Sequence, residues 1–165
     1  MSNKLALLST VPFSSFSQWD VKQFFFAKIL SKYPVEELGK HLIHQTEKIQ
    51  LSDEPTKEFT ILGVSNKIGM FDGSTEKGSK IKQKYHVVKD NWLAYNPYRI
   101  NVGSIGIKTP NLKGSYISPA YVVFSCKDTI LPEYLWLMMK SDFFNKLIKD
   151  STTGSVRQTL HFEKL

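Results

Sequence analysis

Asn96-Pro97-Tyr98 opens like the Asn/Asp-Pro-Pro-Tyr/Phe motif with which amino-group methyltransferases hold an exocyclic amine and stack a ring on the base. The second proline is missing, and no glycine-rich turn follows a strand as binding of S-adenosylmethionine requires. A tight turn is the better account of these residues. Other chemistries fare no better. His41 and His44 are three apart and could share a helix face, but His86 and His161 are isolated and Cys126 is the single cysteine. No Cys-x-x-Cys or His-Glu-x-x-His spacing offers a metal site. Ser104 in Val-Gly-Ser-Ile-Gly is out of register for a Gly-x-Ser-x-Gly nucleophile. Asp53, Glu54 and Glu58 surround Pro55 and read as a solvated turn, and there is no P-loop. The expectation is a chain with no catalytic residue, no metal and no cofactor.

Recognition chemistry is better represented. The net charge is +7, from 22 Lys and Arg against 15 Asp and Glu, a surplus that attracts polyanions. Only two of those cations are arginines, Arg99 and Arg157, and the rest are lysines. Arginine offers a planar fork that matches guanine, and Gln158 beside Arg157 offers an amide of the kind that pairs with adenine. Lys80, Lys82, Lys108 and Lys113 could anchor phosphates around them. Lys77, Lys80, Lys82 and Lys84 crowd a Gly/Ser-rich stretch that reads as a mobile basic loop. The competing readings are a solvated hairpin tip for those lysines, and internal ion pairs or a helix cap for the two arginines.

The elements that must hold these side chains alternate in period. Residues 1–17 show no period and read as a lead-in. Ser17-Gln18-Trp19-Asp20 is a capping box for a helix over 18–31. Its Trp19, Val21, Phe24, Phe25, Phe26, Ile29 and Leu30 cover more than one face, so it must be buried in this domain or against a partner. Val35–Leu38 is a short strand or turn, and 39–49 is ambiguous. Strands are expected at Lys57–Val64, Tyr85–Val88, Trp92–Tyr95, Arg99–Ile107 and Tyr116–Ser125. Asn66-Lys67 and Asp72-Gly73 read as turns bracketing Ile68–Phe71. Pro132 starts a helix, and Ser141-Asp142 starts another. Helix, then strands, then helices gives an α+β (mixed α/β) domain with a twisted, mostly antiparallel sheet and flanking helices. At 165 residues and 41% hydrophobic, the chain is one domain able to bury a core. Lone Cys126 fits a reducing compartment, and no apolar run reaches membrane-spanning length, so a cytoplasmic location is expected.

Taken in order, these segments resemble the target-recognition domain of a Type I restriction–modification specificity (S) subunit. The resemblance runs through Lys32–Gly39, Phe59–Ser65 with Ile68-Gly69, Tyr95–Ile107 with its Arg99 and Gly-Ser-Ile-Gly, Gly114–Phe124, Pro132–Trp136, and Gly154–Gln158 followed by Leu160 and Phe162. It covers residues 18–165, without the long spacer helix that follows such domains in the family. It implies a non-catalytic reader of one half of a split duplex DNA target. The implied partners are double-stranded DNA, methyltransferase (M) subunits and, through them, the restriction (R) subunit. Together with the side-chain reading above, this makes Lys80, Lys82, Arg99, Lys108, Lys113, Arg157 and Gln158 the candidate DNA contacts. Two alternatives are a recognition domain from a methyltransferase fusion and a protein-interaction module that docks through the helix over 18–31. An RNA binder is a third reading.

Overall fold

The computed structural model describes residues 32–151 and 160–164. The lead-in, the helix expected over 18–31, and Arg157 and Gln158 lie outside them. The strands are β1 (Leu42–His44), β2 (Lys48–Ile49), β3 (Glu58–Ser65), β4 (Gly69–Lys77), β5 (Tyr85–Val87), β6 (Leu93–Tyr95), β7 (Ile105–Ile107), β8 (Tyr116–Ile117) and β9 (Val122–Cys126). Two helices follow, α1 (Pro132–Lys140) and α2 (Asp142–Ser151). The class is α+β with mostly antiparallel strands, as expected, but the strands divide between two sheets. One has the order β1-β9-β6-β7 and the other β2-β5-β8-β3-β4, with β3 and β8 the parallel pair.

Side-chain alternation explains why the four-stranded sheet lies in the middle. Successive strand residues face opposite sides. On β6, Leu93 and Tyr95 join the core shared with the helices, while Ala94 joins the core shared with the second sheet. On β9, Phe124 and Val123 divide in the same way, and Ala94 lies opposite Val123 in the register. With both faces covered, the strand must be apolar throughout, and all three residues of β6 are buried. Each large side chain so buried contributes about 1.5–3 kcal/mol.

Gly106 lets the second sheet close on the first. A Cβ there would collide with the Met70 backbone nitrogen at the start of β4. On the other face, Ile105 and Ile107 pack beneath α1 and α2. Pro132 occupies the first turn of α1, and Leu135 and Met139, four apart on one face, fill the core. Trp136 donates its indole N–H to the Ile105 carbonyl at 3.3 Å. The Ser141 hydroxyl accepts the Phe144 N–H at 3.2 Å and caps α2.

Several local expectations are corrected. Asp72-Gly73 is no turn but the interior of β4, which runs on to Lys77. The Asp72 carboxylate accepts the backbone N–H groups of Lys113 (3.0 Å) and Gly114 (2.8 Å), a long-range partnership that overrides local turn preference. Burial raises the Asp72 pKa, but these hydrogen bonds and the nearby Lys113 and Lys108 charges outweigh it and leave the carboxyl below its usual value. Only Ile105–Ile107 of the strand expected over Arg99–Ile107 is extended, and Ile100–Val102 forms a 3-10 turn. The 116–125 strand is broken into β8 and β9. His41 and His44 share no helix: His41 ends a 3-10 turn and His44 lies in β1, stacked on Phe162.

Candidate nucleic-acid interface

The loop between β6 and β7 holds its arginine by main-chain bonds. Asn96 N–H donates to the Ser104 carbonyl, Arg99 N–H to Asn96, and Ser104 N–H to Arg99. Asn96 Oδ1 accepts the Tyr98 N–H at 2.9 Å, so its carboxamide forms an Asx turn. Buried Ile100 pins the middle of the loop, and Gly103 ends it in the left-handed region at φ 75°. Tyr98 and Arg99 are left exposed, and Arg99 forms no ion pair among the described residues. The Gly103-Ser104-Ile105-Gly106 signature is therefore structural. Gly103 turns the chain, Ile105 enters the core and Gly106 admits β4.

Lys108 stands at the opposite end of the same hairpin and behaves differently. It is 6% exposed, and its ammonium is paired with Asp90. This places it among the core supports and removes it from the exposed cations. Lys113 is exposed in the loop fastened to Asp72.

Lys77, Lys80, Lys82 and Lys84 are all exposed, but their loop is anchored rather than mobile. Gly78–Lys80 is a 3-10 turn in which Gly78 donates to the Lys57 carbonyl and Ser79 to Pro55. Buried Ile81 packs with Leu51 and Phe59 beneath it. A Cβ on Gly78 would strike the Leu51 and Glu54 carbonyls, which is why glycine stands there. Asp53, Glu54 and Glu58 are exposed as expected, and Glu54 pairs with Lys57 at 2.8 Å.

Arg157 and Gln158 lie outside the described residues, but their flank does not. Leu160 N–H donates to the Pro97 carbonyl at 3.2 Å, and its own carbonyl accepts the Tyr95 hydroxyl at 3.1 Å. Leu160 is thus fastened beside the Arg99 loop.

Among the described residues no group of three or more His, Cys, Asp or Glu could hold a metal ion, and no helix is long and apolar enough to cross a membrane. No protein-family model matches the chain, and no curated protein matches it either. Solved structures do. The fold is similar to a chain from a structure concerned with complex assembly and conformational transition of the type I R-M system, with TM-score 0.62 and 19% identity. That likeness covers 76% of this chain and 34% of the other. It is also similar to the HsdS subunit from Thermoanaerobacter tengcongensis, with TM-score 0.61, 17% identity, and coverage of 77% and 34%. The chain thus spans about a third of the length of these structures and shares their fold over that part. The fold implied by the sequence resemblance is the fold observed.

Proposed function

We propose that this chain is a DNA target-recognition domain of the type I specificity-subunit kind. It supplies sequence specificity to methylation and cleavage carried out by M and R subunits, acts in the cytoplasm, and has no catalytic activity of its own. The observation that carries this reading is the fold shared with HsdS and with a type I R-M chain over three quarters of the residues. The Arg99 loop adds support, because it presents an exposed guanidinium, without an ion pair among the described residues, and an exposed aromatic ring on a braced scaffold. Arg99, Arg157 and Gln158 are assigned to base edges, and Lys80, Lys82 and Lys113 to phosphates. Lys108 is assigned to stability.

The test is selection from a random duplex library with the chain joined to its methyltransferase partner. One enriched motif is expected. Recovery of the input distribution, or preference for single-stranded RNA over duplex, overturns the reading. Pure chain incubated with labelled S-adenosylmethionine and duplex DNA should transfer no methyl group.

A further inference from the structure

Asp72 does more than hold β4 extended. In the sheet order β8-β3-β4 it lies on the edge strand, opposite Leu62 of β3. Thr60 faces Thr75 and Leu62 faces Asp72, so β3 advances two residues while β4 advances three. The extra residue is a bulge on β4 directly beside Asp72, and a bulge re-aims the side chain next to it. The carboxylate reaches the segment that leads into β8, two strands away. Oδ2 accepts the Lys113 N–H at 3.0 Å and Oδ1 the Gly114 N–H at 2.8 Å. Two successive backbone N–H groups turned on one anion form a nest, and charge-assisted bonds to both oxygens fix its orientation.

That segment, residues 108–115, is the crossover from β7 in one sheet to β8 in the other. It is pinned on both sides of Lys113. Leu112 packs on the core between the sheets, and its N–H donates to the Thr109 carbonyl at 3.1 Å. Gly114 is buried, and a Cβ there would meet the Thr60 carbonyl oxygen at 2.8 Å. The Ser115 carbonyl accepts the Val88 N–H at 2.8 Å. Lys113 itself is exposed and forms no ion pair among the described residues. The other lysine of the crossover, Lys108, is buried and paired with Asp90. The crossover thus offers solvent one cation, on a backbone fixed at both neighbours.

Asp72 acts on that cation in two ways of opposite sign. As a charge it repels phosphate and damps Lys113. As a clamp it holds the Lys113 backbone still, which leaves less entropy to lose when a phosphate is met. The causes that set its acidity rank the two. Burial raises the pKa, the backbone hydrogen bonds from Lys113 and Gly114 come next and lower it, and the Lys113 and Lys108 charges follow. The side chain is committed to the backbone before it is committed to the ammonium.

We infer that Asp72 is a positioning residue for DNA binding, an anion that strengthens the hold on duplex by fastening the Lys113 and Gly114 backbone and so presenting the Lys113 ammonium to a phosphate. The inference rests on the reading of this chain as a reader of duplex DNA.

Duplex titrations over a salt series test it, with the chain joined to its methyltransferase partner. Lys113→Ala should flatten the log–log slope by about 0.9. Asp72→Asn, of equal size, turns an amide nitrogen towards an N–H that it cannot accept. It should flatten the slope by the same amount and weaken binding, although it removes a negative charge, and it should add nothing to Lys113→Ala in the double variant. By NMR on the full chain, exchange of the Lys113 and Gly114 amides should be about tenfold faster in Asp72→Asn than in wild type. Wild-type exchange at both amides rules the clamp out. A slope flattened by Lys113→Ala but not by Asp72→Asn, or tighter binding by Asp72→Asn, makes Asp72 a counter-charge and overturns this inference alone. A slope that Lys113→Ala leaves unchanged overturns the assignment of Lys113 to phosphate, and this inference with it. Should Asp72→Asn fail to fold, Gly114→Ala pushes the same backbone off the Thr60 carbonyl with every charge in place. It should flatten the slope likewise, and an unchanged slope there overturns the inference.

Discussion

Arg99 and Lys108 close the two ends of one hairpin, and their surroundings give them opposite work. Arg99 stands in water on a braced loop, so its removal should leave folding intact. Arg99→Ala should cost about 1–3 kcal/mol on the preferred duplex and far less on random DNA. Arg99→Lys should not restore discrimination, because an ammonium cannot form the two parallel hydrogen bonds of a guanidinium. Binding titrations on both DNAs, with a melting curve for each variant, check this. Lys108→Ala should do the reverse. It leaves a gap beside the hairpin while the half-exposed Asp90 carboxylate turns to water, lowering stability by about 1 kcal/mol, with DNA affinity per folded molecule unchanged. The two arginines could be singled out from the sequence because they are rare among lysines and have a chemistry lysine lacks. The fate of Lys108 could not. Alternation puts it on the face of Gly106, between the sheets, and Asp90 becomes its neighbour only once the β6–β7 register is known.

At the scale of elements, local patterns were readable where local forces decide. Pro132, the Leu135/Met139 spacing and the Ser141 cap mark the two helices plainly, and the apolar 92–95 run is a strand. Asp72-Gly73 misled because its turn chemistry is local while the bonds that hold it extended come from residues about forty positions on. The 99–104 stretch reads as strand by its β-branched residues, but buried Ile100 and left-handed Gly103 fold it back. Gly106 tests whether the two sheets close as described. Gly106→Ala should destabilise by about 3 kcal/mol or more, since the obstacle is the Met70 backbone rather than a movable side chain. Urea unfolding of the variant measures it. A loss near the ~0.5–1 kcal/mol scale of ordinary glycine-to-alanine changes would mean that the sheets have room to spare.

For the whole molecule, class and strand sense followed from the order of elements, but the division into two sheets depends on pairings remote in sequence that no local pattern encodes. Charge gives one molecule-wide prediction. Affinity for duplex DNA should fall steeply with salt, and replacing Lys80, Lys82 or Lys113 by alanine should each flatten the log–log slope by about 0.9. Acidity gives another. Burial, with the Lys48 and His44 charges nearby, holds the buried His86 imidazole at about 4, down from 6.5, against a hydrogen bond to the Glu47 backbone. Between those values the unfolded chain binds the proton and the folded one does not. Stability should therefore fall as pH drops from 6.5 towards about 4, and be level in this respect above 6.5. His86→Leu should flatten the dependence in urea titrations across that window. The central sheet has a further consequence, for biosynthesis. β1 is its first strand to leave the ribosome, yet its neighbour is β9, and the Gln45–Ser125 side-chain bond beside that pair spans 80 residues. The chain cannot seat its opening strand until Cys126, about three quarters of the way along the sequence, has emerged. Closing so wide a loop places it among slow folders, in the millisecond-to-second range, and leaves the apolar β1 edge in need of shielding throughout translation.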